Sequence, residues 1–211
     1  MEIDVFELFI DEENEFSGVN AMSVVEHPAI ESDFVALSKE KVQLAEISGE
    51  KRILMGAALI PDKKIYRRNG EYEYYIYFSK DTVRKASELF FIKGNQSNST
   101  LEHEVMLNDM TVVESWIVED PKMDKSAKYG IEVPEGSWMI SMKVNNDTVW
   151  NEYVKTGYVK GFSLEGFFSD NMPNRPTESL SEELSDEQKL SIIVDDLLNF
   201  YLDTNETSNQ Q

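Results

Sequence analysis

Between Arg52 and Phe168 the chain passes through one short apolar or alternating segment after another, each closed by Gly, Pro, Asn or Asp. This punctuation constrains the fold more than any other feature, because segments of roughly four to eight residues are too short for long helices and bury their backbone groups by pairing as strands. RILMGAALI is a continuous apolar run closed by Pro61 and Asp62, as expected of a buried strand. IYRRNGEYEYYIYFS carries Asn69-Gly70 between two strand-like runs, a strong hairpin signal. TLEHEVMLNDMTVVESWIVED reads as two strands about a turn at Asn108-Asp109, and SWMISMKV and YVKGFSLEGFF read as two more. Two helices interrupt them. Ser79 caps KDTVRKASELFFI, where Val83, Ala86, Phe90 and Phe91 share a face before Gly94. Asn146 caps DTVWNEYVKT, whose apolar face is Val149, Trp150, Tyr153 and Val154, and Gly157 ends it. The residues predict an α+β domain of mostly antiparallel strands.

Charge divides the chain into three parts. Residues 1–50 carry 13 acidic and 2 basic side chains, residues 51–168 carry 17 and 16, and residues 169–211 carry 10 and 2, for a net charge of -20. Such a balance repels a phosphate backbone, so neither nucleic acid nor an anionic membrane is an expected partner. The nearly neutral middle also argues against an acidic mimic of DNA. VFELFI suits a short strand, and GVNAMSVVEHPAIESDFVAL is apolar enough to pack. SKEKVQLAEISGE, residues 38–50, reads as a linker, which sets an expected boundary near residue 50. Beyond Phe168, SDNMPNRPTESLSEEL reads as a second acidic linker, followed by a C-terminal helix over KLSIIVDDLLNFYL with Ser185 and Gln188 as a capping box. The expected organisation is an acidic extension over 1–50, a domain over 51–168, and a linker with its helix over 169–211. No apolar run reaches the roughly 18–20 residues of a membrane span, and MEIDVFELFIDEENE is acidic where a signal peptide is basic, so a soluble, non-secreted protein is expected.

The chain has no cysteine and two histidines, His27 and His103. Thiolate chemistry is excluded, no cofactor or metal centre is expected, and an imidazole base must be one of these two. His27 precedes Pro28, which biases it toward an extended loop and a structural role. His103 lies in a strand-like run between Glu102 and Glu104. If Asn108-Asp109 is a two-residue turn, His103 opposes Glu114, with Cβ atoms roughly 4.5–5.5 Å apart, close enough for the carboxylate to orient the imidazole. Ser163 sits in KGFSLEG between bulky apolar neighbours. Gly161 and Gly166 beside it allow a close backbone approach, which suits a substrate chain or an oxyanion, the plainer alternative being a strand with glycine bulges. Glu165 stands where the second glycine of a G-x-S-x-G elbow would be, which disfavours an α/β-hydrolase. In a strand Glu165 shares a face with Ser163, so it rivals Glu114 as partner of the histidine.

SGVNAMSVVEHPAIESDFVAL, RILMGAALIPDKKIYR, STLEHE, VVESWIVED, GSWMISMKVNND and VKGFSLEGFF, in that order over residues 17–168, together resemble the serine proteases of tailed bacteriophages and prophage elements, the prohead or capsid-maturation proteases. The resemblance implies an assemblin-like fold, a β-barrel-like core with flanking helices. It also implies a Ser nucleophile served by a His and a third polar group. The His of the E-H-E block falls on His103 and the Ser of the G-F-S-x-E-G block on Ser163, in the His-before-Ser order of assemblins. Those proteases take the third group from a strand after the Ser, which points to Glu165 or a tail acid, whereas the hairpin geometry points to Glu114. The implied activity is a serine endopeptidase acting inside the assembling prohead in the host cytoplasm. Its implied partners are the scaffolding and major capsid proteins, with a homo-oligomer left open, and self-cleavage is expected in residues 38–50 and 169–184. The excursion over 121–136 is the expected source of oxyanion donors. The rival reading is a non-catalytic capsid assembly or scaffolding protein that retains the protease fold.

Overall fold

The computed structural model describes residues 3–30, 35–37, 51–70 and 72–172. The chain divides into two units, 1–172 and 173–211. The expected C-terminal helix and most of both expected linkers lie outside the described residues.

Among the described residues, twelve strands form three four-stranded sheets. The first contains β1 (Asp4–Phe9), β5 (Ile65–Asn69), β6 (Tyr72–Phe78) and β12 (Ser169–Asp170) in the order β12-β1-β6-β5. The second contains β3 (Val35–Leu37), β4 (Ile53–Leu59), β9 (Met110–Ile117) and β10 (Trp138–Val144) in the order β3-β4-β10-β9. The third contains β2 (Gly18–Val25), β7 (Ser99–Leu101), β8 (Val105–Leu107) and β11 (Gly161–Phe167) in the order β11-β2-β7-β8. Pairing is antiparallel except for β1 with β6 and β2 with β7. The helices are α1 (Lys80–Ile92) and the short α2 (Lys125–Lys128), with a π-helical segment over Val149–Val154. The α+β expectation holds at this level. Among the described residues the strands belong to three separate sheets and close no barrel, so the β-barrel-like core implied by the resemblance is matched only as a strand-rich core.

Local sequence explains most elements. β4 and β10 are buried at successive residues, so both faces are covered and their apolar runs need no alternation. Gly70 turns the β5–β6 hairpin at φ 60. Ser79 accepts a hydrogen bond from the Thr82 N–H at the start of α1, and Gly94 follows its end at φ 75. Val83, Ala86 and Phe90 are buried, and Phe90 meets Trp138 edge-on at 5.6 Å. One apolar core joins these residues to Met22 and Val24 of β2, Leu54 of β4, Ile76 of β6 and Met139 of β10. Full burial of such side chains contributes about 1.5–3 kcal/mol each.

Two expectations are corrected. The boundary expected near residue 50 does not divide the fold. β1 lies between β12 and β6, and β2 lies between β11 and β7, so the acid-rich N-terminal segment supplies interior strands. Nor does Asn108-Asp109 close a hairpin. Leu107 pairs with Ser99, whereas Met110 pairs with Val144 in another sheet. The Asp109 carbonyl accepts from the Asn145 N–H at 2.8 Å and the Asn108 carbonyl from the Asn146 side chain at 3.2 Å, which makes this turn a corner between sheets. Burial of Met110 and Val112 against β10 outweighs the local turn signal.

Candidate active site

β2 is the frame of the site. Ser23 on β2 stands opposite Ser163 on β11 and beside Thr100 on β7, so three hydroxyl residues line up across neighbouring strands. Their side chains leave one face of the sheet, and Glu165, two residues after Ser163, leaves the same face. Ser23 and Thr100 are buried. The Ser23 hydroxyl donates to the Thr100 carbonyl at 3.4 Å and accepts from the His103 N–H at 3.1 Å.

His103 is at a turn and not inside a strand. Glu102 and His103 have φ 51 and 61, and the Glu104 N–H bonds to the Leu101 carbonyl at 3.0 Å, so β7 and β8 are joined by the three residues 102–104, with the two central residues of the 101–104 turn left-handed. Left-handed backbone costs a non-glycine residue roughly 1–2 kcal/mol. Hydrogen bonds from the N-terminal segment hold the turn against that cost. The Glu102 N–H bonds to the Val24 carbonyl at 3.2 Å, and the Glu102 carboxylate accepts from the Glu26 N–H at 2.7 Å. The turn thereby points the imidazole at β11, where His103 Nδ1 lies 3.2 Å from Glu165 Oε1. The Thr100 hydroxyl donates to the same carboxylate oxygen. A carboxylate only accepts, so the bond places the proton on Nδ1 and leaves Nε2 as the basic nitrogen.

The structure therefore brings His103, Glu165 and Ser163 to one face of one sheet. Among the described residues no hydrogen bond joins Ser163 Oγ directly to the imidazole. Ser163 also borders a groove of about 210 Å³, whose other walls include Leu8, Ile30, Ala58, Ile65 and Arg67. Gly166 shows why glycine follows the motif. A Cβ there would lie 2.2 Å from the Gly18 carbonyl oxygen, at the point where the β11–β2 register shifts. The close backbone approach is to the neighbouring strand, so the strand-bulge reading of Gly166 is the observed one.

Glu114 is placed elsewhere. It lies on β9 opposite Ser141 of β10, and its carboxylate meets Lys125 Nζ at 2.5 Å, which holds its pKa below the ordinary carboxylate value. The pairing with His103 expected from the hairpin is absent because the hairpin is absent. No residue of the 121–136 excursion borders the groove at Ser163. Lys125 of the excursion meets Glu114, Asp124 accepts from Trp116 Nε1, and Glu135 pairs with Lys80 at 3.0 Å. His27 is an exposed loop residue 3.9 Å from Glu26. Among the described residues no group of three or more histidine and carboxylate side chains is placed to hold a metal ion. Ser23 and Thr100 were not singled out from sequence. Ser23 is one hydroxyl in the run AMSVV and Thr100 one at the end of a polar stretch, and the role of each depends on strands far away in the chain.

The model of the family described as "Putative phage serine protease XkdF" matches residues 41–171, well over half of the chain. The chain belongs to that family. The match supports a phage serine protease, hence a hydrolase, and its span contains His103, Glu114, Ser163 and Glu165. Neither a curated protein nor a solved structure matches the chain. Within the XkdF family match, the strand bearing Ser163 pairs with β2, which precedes the matched residues, so the matched segment does not contain the whole fold.

Proposed function

We propose that this chain is a serine endopeptidase in which Ser163 is the nucleophile, His103 the general base and Glu165 the carboxylate that orients it. The observation that carries this reading is the 3.2 Å contact of Glu165 Oε1 with His103 Nδ1, made from the strand and the face that bear Ser163. Ser163 Oγ attacks the scissile carbonyl while His103 Nε2 takes its proton, then returns that proton to the leaving amine. The resulting acyl ester is hydrolysed by a water that His103 deprotonates in turn. Glu165 keeps the proton on Nδ1 and stabilises the imidazolium that forms at each step. Proton transfer requires Ser163 Oγ and His103 to come within hydrogen-bond reach, and catalytic hydrogen bonds commonly tighten only once substrate is bound.

The resemblance over residues 17–168 supports prohead maturation as the setting of this activity, with scaffold and capsid protein segments and the protease's own linkers as substrates. The test is co-expression of wild type or Ser163→Ala with the phage capsid and scaffold proteins, followed by intact-mass analysis. Cleavage by wild type alone is the expected result. Particles that assemble while neither protein cuts would establish the rival reading, a non-catalytic assembly protein. The open gap between Ser163 and His103 is the observation in favour of that rival.

A further inference from the structure

The groove beside Ser163 has a composition that selects what enters it. Phe162, Ser163 and Leu164 all border it, although alternate side chains of a strand point to opposite faces. The groove therefore runs along the edge of β11, and a chain lying in it passes Ser163 lengthwise. Its opposite wall is one face of the β12-β1-β6-β5 sheet, with Leu8, Ile65, Ile76 and Phe78. At about 210 Å³ it is smaller than the roughly 300–1,000 Å³ of small-molecule sites and suits a side chain or two of a peptide.

Arg67 is the one charged residue among those bordering the groove. It sits two residues after Ile65 on β5, so it shares the face that Ile65 presents. Its Nη1 donates to the Tyr66 carbonyl at 3.0 Å, and among the described residues no carboxylate pairs with it. This is unusual company for an arginine in a chain with 40 acidic side chains, where Arg52 meets Asp147 and Lys85 meets Glu12. Arg67 is exposed, so its guanidinium is reachable from solvent, although the protein atoms around it draw its pKa below the ordinary arginine value. A guanidinium in such a place is well suited to take a carboxylate from outside the chain.

We propose that the groove is a substrate-specificity site for a segment with a large apolar residue flanked by Asp or Glu, the apolar side chain resting between β11 and the β1–β6–β5 face and the carboxylate meeting Arg67. The inference rests on the protease reading for the identity of the occupant as substrate, and it makes Arg67 a specificity-determining residue. A basic residue at the flanking position is rejected by like charge, and a polar one at the apolar position leaves its hydrogen-bonding groups without partners.

The test reads binding separately from cleavage. Full-length Ser163→Ala protein, which holds peptide without cutting it, is titrated with short fluorescent peptides that differ only in a central Leu-Glu, Leu-Lys or Gln-Glu pair, with anisotropy as the readout. The Leu-Glu peptide is expected to bind at least about tenfold more tightly than either other peptide, and adding Arg67→Glu is expected to reverse the order of Leu-Glu and Leu-Lys. Arg67→Gln should make those two equal. Equal affinities on the Arg67 protein, no response to Arg67→Glu, or no saturable binding of any peptide would each overturn the proposal. Preferential binding of Leu-Glu together with no cleavage by wild type would instead sink the protease reading and leave the binding site standing.

Discussion

The Glu165 carboxylate is held by two groups, the Thr100 hydroxyl and the His103 ring, and both approach the same oxygen. Glu114 lies on another sheet and has a different partner, Lys125 of α2. The two carboxylates therefore have separable predicted effects. Glu165→Gln should lower the rate of scaffold cleavage by about 10²–10⁴-fold, because an amide in place of the carboxylate no longer dictates the Nδ1–H tautomer. Glu114→Gln should leave that rate within a few-fold of wild type. Comparable losses in both variants, measured as initial rates of product formation, would remove Glu165 from its assigned role. Gly166 gives a structural prediction at the same scale. Gly166→Ala forces a methyl into the Gly18 carbonyl, and overpacking of this kind costs about 1–3 kcal/mol or more. The thermal midpoint should fall by several degrees, at roughly 2–4 °C per kcal/mol for a domain of this size.

At the scale of elements, the turn between β7 and β8 and the segment around α2 show how side chains fasten irregular backbone. Asp124 caps α2 by accepting from the Ser126 N–H at 2.7 Å and also accepts from Trp116 Nε1 at 3.0 Å. Burial raises the Asp124 pKa, but the bonds from Ser126 and Trp116 outweigh it and hold the value below the ordinary one. Because its pKa is lower folded than unfolded, Asp124 stabilises the fold fully above the unfolded value, about 3.9, and that contribution is lost as pH falls through the folded value. Glu114, lowered by Lys125, acts in the same direction over the same acid range. The expected outcome is a change in Trp116 fluorescence, taken as the difference between wild type and Trp116→Phe, that begins only below about pH 4. Asp124→Asn should diminish this acid transition, leaving only the part due to Glu114, and weaken the segment at neutral pH. A transition unchanged in that variant would show that Asp124 is not the titrating group.

For the whole molecule, the decisive fact is that the acid-rich N-terminal segment lies inside the fold. Asp11, Glu12, Glu13 and Glu15 occupy the loop between β1 and β2, where Glu12 meets Lys85 at 2.6 Å and Lys93 bonds the carbonyls of Glu15 and Ser17, while Ile10, Val19, Met22, Val24 and Ile30 enter the common core. β2 also supplies Ser23, and the segment just after it supplies the Glu26 N–H, so the site and the core depend on the same strand. A chain lacking residues 1–50 should show no cooperative unfolding in urea, since two sheets lose interior strands. Cooperative unfolding without residues 1–50 would restore the boundary expected near residue 50.

Local signals in the sequence determined the elements whose causes are local. The run RILMGAALI, the Ser79 cap, the Gly94 stop and the Gly70 turn each appear where a few neighbouring residues specify them. Those signals were enough for an α+β chain rich in strands, for His103 as the less constrained of two histidines, and for Ser163 and Glu165 on one face of a strand. Tertiary structure alone decided which carboxylate reaches His103. The turn at Glu102-His103 contains none of the Gly, Asn or Asp residues that usually mark left-handed turns, and it is held by Ser23, Val24 and Glu26 from some eighty residues earlier. The Asn108-Asp109 corner carries the usual turn residues yet changes sheets, because burial of Met110 and Val112 against β10 determines where β9 goes. Backbone preferences act over a few residues, whereas strand partners are selected by burial summed over the whole core. That difference in range is why the strands were legible in the sequence and their neighbours were not.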